Sequence, residues 1–210
     1  LKQVEIDNTL FISIESRNIF KKDTIDFLNN NLVNFHNFRL PLNAGGGGFS
    51  WQILRDDRLH NSLVHLVDEG IDTGPIIDHE TTIIPNSCIT PKDWDEYDLE
   101  RFDIFYKQLI KKIIGSKDLC LQPQPGYLGS YQPRLSTPHN GFIDWSLESH
   151  SLASFINAFD DPFEGASTYI NSTLQKVNIK KITLHGGESS NHPFMTGLVS
   201  RHDKDWIVVS

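Results

Sequence analysis

Three polar side chains stand out because each follows an apolar, strand-like run. Asn34 and His36 close the run 32–36, and at positions i and i+2 of a strand they point to the same face. Asp72 follows a second such run. An amide can donate to a developing oxyanion, and an imidazole can donate a proton or polarise a carbonyl. A carboxylate can hold the imidazole and favour its charged form. The three residue types together fit an acyl-transfer site.

A purely structural interpretation of the same residues is also open. Asn34 could cap a loop, His36 could be a hydrogen-bonded core histidine, and Asp72 could close a turn. Spacing alone favours this structural interpretation.

The elements around Asn34 and His36 predict a parallel βαβ unit. A buried strand is expected over 10–14, a helix over 21–30 and a second strand over 32–36. In parallel sheets, functional groups gather at the carboxyl ends of strands. We therefore expect Asn34, His36 and Asp72 to converge at the carboxyl edge of one parallel sheet.

The next part of the chain continues this α/β pattern. Strands are predicted over 63–67 and 76–84, and helices over 49–55 and from Pro91 to about 114. The long helix has one apolar face, formed by Leu99, Phe102, Phe105, Leu109, Ile110 and Ile113.

The segment 119–141 is rich in Pro, Gly, Gln, Ser and Tyr and has no clear periodicity, which predicts a linker. A helix over 147–159 should follow it. Four strands are then expected, over 166–170, 174–184, 194–199 and 205–209. Short strands in this arrangement are typical of a small β-barrel-like domain.

Composition limits the function classes. The chain has 38% hydrophobic and 22% charged residues, which is typical of soluble globular proteins. The net charge of -8 disfavours binding to an extended nucleic acid. Cys88 and Cys120 fit no zinc or redox spacing, so we expect reduced thiols in a cytoplasmic protein. The chain begins with Leu1 and ends within a strand-like run, so we expect a fragment that lacks sequence at both ends.

Three separated motifs resemble the folate-dependent formyltransferase family. The first is Asn34-Phe35-His36, the second is Leu40-Pro41 followed by a glycine-rich loop, and the third is Asp72-Thr73-Gly74-Pro75-Ile76-Ile77. The segment 61–65 resembles the strand before the family's aspartate. Two later segments, 141–146 and 162–166, resemble the entry to the C-terminal domain of methionyl-tRNA and sugar N-formyltransferases.

The resemblance implies a Rossmann-like α/β formyltransferase core that is incomplete at its N-terminus, followed by a small β-rich, OB-like domain. The expected boundaries are 1–118 for the catalytic domain, 119–141 for the linker and 142–210 for the C-terminal domain, which we expect to be truncated. It further implies 10-formyltetrahydrofolate as co-substrate, no metal, and Asn34, His36 and Asp72 as catalytic residues. The residues expected to bind the donor are Leu40, Pro41, Val67, Asp68, Gly70 and Ile71.

The acceptor is the least determined feature of the resemblance. Family members commonly have Ser-Leu-Leu-Pro where this chain has Phe38-Arg39-Leu40-Pro41, and the loop 44–48 has more glycines than usual. We expect a small-molecule amine, specifically a nucleotide-linked amino sugar, because the acidic balance argues against a tRNA-sized polyanion. Methionyl-tRNA is the alternative acceptor. A non-catalytic folate-binding or ligand-binding homologue is the alternative from another function class.

Overall fold

A computed structural model describes most of the chain, and the described residues form two compact units. The described residues are 6, 9–14, 16, 18–115, 120–185 and 192–210. Those of the first unit fall within Leu1–Gly48, Arg58–Cys88 and Asp93–Arg134, and those of the second within Phe49–Asp57, Ile89–Lys92 and Leu135–Ser210.

The helices and strands alternate in the first half of the chain, and strands dominate the second half. In chain order they are β1 (Phe11–Ile14), α1 (Lys22–Phe27), β2 (Leu32–His36), β3 (Ala44–Gly45), α2 (Gly48–Leu54), β4 (Leu59–Leu66), β5 (Ile76–Ile83), α3 (Pro91–Gly115), β6 (Tyr131–Gln132), α4 (Thr137–Asn140), α5 (Ser149–Ala158), β7 (Ala166–Ile170), β8 (Gln175–Ile179), β9 (Val199–His202) and β10 (Ile207–Val209).

The main sheet of the first unit has the strand order β1-β2-β4-β5. Strands β1 and β2 pair in parallel and are joined through α1, so the predicted βαβ unit is confirmed. Strand β4 is antiparallel to both of its neighbours. The expectation of a single parallel sheet is therefore wrong. The connection 67–75 is too short for the crossover that a parallel pair needs, so β4 and β5 form a hairpin instead.

The core of the first unit lies between this sheet and α3. Val33 and Phe35 of β2 and Val64 of β4 pack against Phe105 and Leu109 of the helix. Side chains in a strand alternate between faces, so burying Val33 and Phe35 on this side sends Asn34 and His36 to the other. Packing against the helix thus fixes the direction of the candidate catalytic residues.

Only part of the predicted apolar face of α3 is buried. Leu99 is 63% exposed, whereas Phe105 and Leu109 are buried. Leu99 instead lines the cavity between the helix and the end of β2.

The segment 120–134, which we call the strap, lies within the first unit. Gln122 pairs through its backbone with Ile76, and β6 pairs in parallel with β3. Sequence periodicity does not reveal these contacts because single bridges and two-residue strands carry no repeat. The predicted boundary at 118–119 lies outside the described residues.

In the second unit, strands β7 and β8 form one antiparallel pair, and β9 and β10 form another. The expected strand over 194–199 is wrong for most of its length. Pro193–Met195 forms a 3-10 turn, and Gly197 adopts a positive φ of 76°. Both features interrupt an extended strand, which begins only at Val199. In the part of the chain that the structure describes, no helix is both long and apolar enough to span a membrane.

Candidate active site

The register between β2 and β4 places Asn34 directly opposite His65. The Asn34 side-chain Nδ2 lies 3.3 Å from His65 Nε2. Sequence analysis did not single out His65 as a functional residue. The available signal was a histidine between the apolar residues Val64 and Leu66, two positions before the start of the loop that carries Asp72.

The hydrogen bonds of His65 define its tautomer. Its Nδ1 lies 2.7 Å from the Leu66 carbonyl oxygen, which can only accept, so Nδ1 carries the proton. In the neutral ring, Nε2 is then an acceptor, and the Asn34 amide donates to it. Because an amide nitrogen has two hydrogens, Asn34 keeps one donor for another partner.

Asp72 lies in the hairpin connection 67–75 and approaches His65 from the loop side. Its Oδ1 is 3.8 Å from His65 Nε2, which is within ion-pair range but too long for a hydrogen bond. Its Oδ2 accepts a hydrogen bond of 3.1 Å from the backbone amide of Gly45. Asp72 itself has a φ of 55°, a left-handed conformation that aspartate tolerates better than most residues. The carboxylate is therefore held between the glycine-rich loop and His65.

His36 completes the group but does not contact Asp72 directly. Its ring lies edge-on to the His65 ring, with 6.1 Å between the ring centroids. Among the described residues, no hydrogen bond or ion pair joins His36 to Asp72, and His36 Nε2 is buried without a hydrogen-bond partner. His65 lies next to both residues, so the arrangement is a group of four side chains.

Burial lowers the pKa of His36 below its ordinary value, and the negative charge of Asp72 acts in the opposite direction without overcoming it. The neighbouring His65 lowers the pKa of His36 further. The lowered pKa of His36 therefore disagrees with the expectation that Asp72 keeps this ring charged. His36 is neutral at pH 7 and acts as a hydrogen-bond donor or acceptor there.

The pKa of His65 is also lowered, chiefly by burial, while its hydrogen bond to the Leu66 backbone and the charge of Asp72 raise it. If His65 gains a proton, it gains it on Nε2, the atom that faces Asp72. The new N–H would oppose the Asn34 amide and attract the carboxylate. Protonation of His65 would thus replace its contact with the Asn34 amide by an interaction with the Asp72 carboxylate.

The loop that carries Asp72 depends on two local features. The Asp68 Oδ1 atom accepts from the Gly70 backbone amide and from the Thr73 hydroxyl, which closes the turn. A Cβ atom at Gly74 would lie 1.8 Å from the Leu66 carbonyl oxygen, so only glycine fits there. The family-like pattern at 72–74 therefore has a steric cause in this chain.

The residues expected to bind the donor lie in two places. Val67, Asp68, Gly70 and Ile71 share the loop of Asp72, and Ile71 is 41% exposed. Leu40 is buried. Among the described residues, no hydrogen bond or ion pair joins Leu40 or Pro41 to the loop 67–71. The glycine-rich loop that follows Pro41 is linked to the loop of Asp72 by the hydrogen bond from Gly45 to Asp72.

A cavity of about 170 Å³ lies beside His36, between the end of β2 and α3. Its apolar wall includes Phe35 and Phe102, and its polar wall includes Asp98 and Ser62. The Ser62 hydroxyl is buried without a hydrogen-bond partner among the described residues. The cavity therefore offers an apolar surface and one unpartnered hydroxyl at the end of β2, on the side of the sheet that packs against α3.

No cluster of three or more potential metal ligands of the His, Cys, Asp or Glu type occurs within the described ranges. The side chains of Asn34, His36, His65 and Asp72 can donate hydrogen bonds and accept a proton. Such an arrangement can stabilise an oxyanion and receive a proton from an attacking nucleophile.

Comparison with known proteins agrees with the motifs. Residues 135–210 match the family model of the formyl transferase C-terminal domain. These residues are therefore similar to the C-terminal domain of formyl transferases. The resemblance to the formyltransferase family that the sequence motifs indicate is confirmed.

A methionyl-tRNA formyltransferase of Ruminiclostridium cellulolyticum is 26% identical over 188 residues, which cover 90% of this chain and 59% of that protein. The chain spans between half and two thirds of the length of the curated relatives that it matches.

Solved structures of sugar N-formyltransferases share the α/β fold. WlaRD, a sugar 3N-formyl transferase solved in the presence of dTDP and 5-N-formyl-THF, is 28% identical with a TM-score of 0.62, over 71% of this chain and 53% of that one. The N-formyltransferase from Helicobacter canadensis, in complex with folinic acid and dTDP-3-aminofucose, is 27% identical with a TM-score of 0.62, over 71% of this chain and 54% of that one. The expected fold class, an α/β formyltransferase core followed by a C-terminal formyltransferase domain, is confirmed.

Proposed function

We propose that this protein takes part in folate-dependent transfer of a formyl group to an amine. The observation that carries the proposal is the convergence of Asn34, His36 and Asp72 around His65 on one face of the sheet. A structural role for these residues would not require a buried imidazole nitrogen without a partner, as found in His36.

Each residue has a defined task in this proposal. The amine nitrogen forms a bond to the formyl carbon of the donor, the bond between that carbon and the folate nitrogen breaks, and the proton that the amine loses ends on the departing folate nitrogen. The free hydrogen of the Asn34 amide and the His36 ring donate to the oxygen that becomes negative. Asp72 receives the proton that the amine loses, directly or through water. His65 keeps the Asn34 amide in position through the 3.3 Å contact.

The chain offers a surface that suits a folate donor. The loop 67–71 carries exposed backbone groups next to Asp72, and Ile71 adds an exposed apolar side chain. An aromatic heterocycle with amide-like edges needs this combination of apolar contact and backbone hydrogen bonds. Val67, Asp68, Gly70 and Ile71 are therefore proposed to contact the donor. We propose that the buried Leu40 packs behind the donor-binding surface. Pro41 is proposed to lie at the edge of that surface.

For the acceptor we propose a nucleotide-linked amino sugar. The solved relatives at 27–28% identity include sugar N-formyltransferases, and one is solved with dTDP-3-aminofucose. The net charge of -8 opposes a large polyanion. Methionyl-tRNA remains the second candidate because the curated relatives at up to 27% identity are methionyl-tRNA formyltransferases.

A transfer assay distinguishes these acceptors. The protein, expressed from its complete reading frame, is incubated with radiolabelled formyl donor and either a dTDP- or UDP-linked amino sugar or charged initiator tRNA. We expect label in the sugar nucleotide and none in the tRNA. Preferential labelling of the tRNA would reverse the choice of acceptor. Folate binding without transfer to either acceptor would favour the non-catalytic homologue.

A further inference from the structure

The strap, residues 120–134, contacts the backbone of Asp72 and also the segment that donates a hydrogen bond to the Asp72 carboxylate. The side-chain Nε2 of Gln124 donates to the Asp72 carbonyl oxygen at 3.0 Å and to the Gly74 carbonyl oxygen at 2.7 Å. Both partners are carbonyls, which only accept, so the orientation of the Gln124 amide is fixed. One side chain thus spans the left-handed residue and the glycine that follows it two positions later.

The strap also fixes the group that binds the Asp72 carboxylate. Gly45 donates its backbone amide to Asp72 Oδ2, and Gly45 lies in β3, which pairs with β6 of the strap. The Gln132 carbonyl accepts from the Gly46 amide at 2.9 Å, and the Gln132 side chain donates to Asn43 Oδ1 at 2.8 Å. A Cβ at Gly45 would lie 2.5 Å from the Gln132 carbonyl oxygen, so the two segments approach too closely for any other residue.

We propose that Gln124 is a positioning residue that holds Asp72 in its proton-accepting place. Asp72 has a positive φ, which costs free energy for a residue with a side chain. Two hydrogen bonds from one amide offset this cost at the site itself. Without them the loop 67–75 can relax, and the carboxylate then leaves both Gly45 and His65. The catalytic part of this inference depends on the proposed formyl transfer.

The strap supplies its own matched control. Gln122 lies two residues before Gln124 and is exposed, and it contacts Ile76 only through its backbone. Among the described residues, its side chain makes no hydrogen bond. Gln122→Leu and Gln124→Leu therefore remove the same chemical group from the same segment, but only the second removes donors to the Asp72 loop.

The first measurement does not need activity. Hydrogen exchange of the peptide that contains the Gly45 amide reports whether Asp72 still accepts from it. We expect faster exchange of this amide in Gln124→Leu and unchanged exchange in Gln122→Leu. Gln124→Glu, which keeps the volume but has no hydrogen to donate when ionised, should behave as Gln124→Leu at neutral pH. It also serves as the second variant if Gln124→Leu fails to fold.

The second measurement is the kinetics of formyl transfer by the protein from its complete reading frame. We expect Gln124→Leu and Gln124→Glu to lower kcat about tenfold or more while KM for the acceptor changes little, because a displaced proton acceptor affects the reaction more than binding. In Gln124→Glu, kcat should recover partly on acidification, when the carboxyl regains a donor. Gln122→Leu should match the wild type.

The outcomes separate this inference from the proposed function. Faster Gly45 exchange with unchanged kcat would show a merely structural contact and overturn the positioning role. A lower kcat with unchanged exchange would also overturn it, since the effect would not pass through Asp72. If the wild-type protein transfers no formyl group, the proposed function fails. The exchange data alone then decide whether Gln124 places Asp72.

Discussion

His65 Nε2 lies 3.8 Å from Asp72 Oδ1 and 3.3 Å from Asn34 Nδ2, so one buried imidazole nitrogen faces two of the three candidate catalytic side chains. In the neutral ring this nitrogen accepts from Asn34. The Asp72 carboxylate therefore lies beside the neutral His65 ring without accepting a hydrogen bond from it. This relationship makes His65 the residue through which the group of four is coupled.

Replacing His65 should lower activity without unfolding the protein. His65→Phe keeps the ring but removes the acceptor, so the Asn34 amide loses its partner and its orientation. We expect kcat to fall about tenfold or more, by analogy with the cost of misplacing a reacting group. The measurement is formyl transfer together with the melting temperature.

His79 is the matched control for His65. It lies on β5, pairs in register with Leu63 and is exposed. His79→Phe should leave kcat unchanged. Equal kcat in His65→Phe and wild type would contradict the coupling role of His65.

His36 is tested by two replacements. If it stabilises the oxyanion, His36→Ala should leave a folded protein with transfer reduced on the order of a hundred- to thousand-fold. His36→Gln keeps a donor and similar volume but lacks the ring, and it should also lose most of its activity. If His36 were only a core residue, the main effect would be a loss of one to a few kcal/mol in the free energy of unfolding, with turnover preserved.

Asp72→Asn separates charge from shape. The amide oxygen can still accept from Gly45, so the loop should keep its position, but the proton acceptor is lost. We expect transfer to collapse while the melting temperature changes little. Because the Asp72 charge raises the pKa of His36, this replacement should also move that pKa further down, which NMR titration of the ring protons would detect. An unchanged His36 titration would show that Asp72 does not act on His36.

The sequence predicted the parts of this site that depend on local pattern. The alternation in 32–36 correctly placed Asn34 and His36 on one face, because burial of Val33 and Phe35 leaves no other choice. It could not predict that His65 would stand opposite Asn34, because strand register depends on long-range pairing. The role of the strap was hidden for a related reason: Gln124 acts through a single side chain from a segment without periodicity.

The lowered pKa values of His36 and His65 predict an acid limit to stability. In the unfolded chain both rings have an ordinary pKa near about 6.5, whereas in the folded protein burial lowers both values. Below about pH 6.5 the unfolded state therefore binds more protons, and the free energy of unfolding falls as the pH falls. Above that pH this contribution is fully present.

Urea unfolding between pH 7.5 and pH 5 measures this effect. The double variant His36→Gln, His65→Gln removes both groups, so its free energy of unfolding should depend less steeply on pH than that of the wild type. A double variant with the full wild-type slope would assign the acid sensitivity to other groups.

Gly74 provides a test of the loop geometry that involves no ionisable group. A Cβ at this position would lie 1.8 Å from the Leu66 carbonyl oxygen, which belongs to the backbone and cannot move without disturbing the end of β4. Gly74→Ala should therefore displace the loop 67–75 and with it Asp72. We expect a loss of about 1–3 kcal/mol or more in the free energy of unfolding and a fall in kcat. Gly126→Ala is the control, because a Cβ there meets no atom within 4 Å. If both variants have wild-type stability and turnover, the close approach between Gly74 and Leu66 does not hold Asp72 in place.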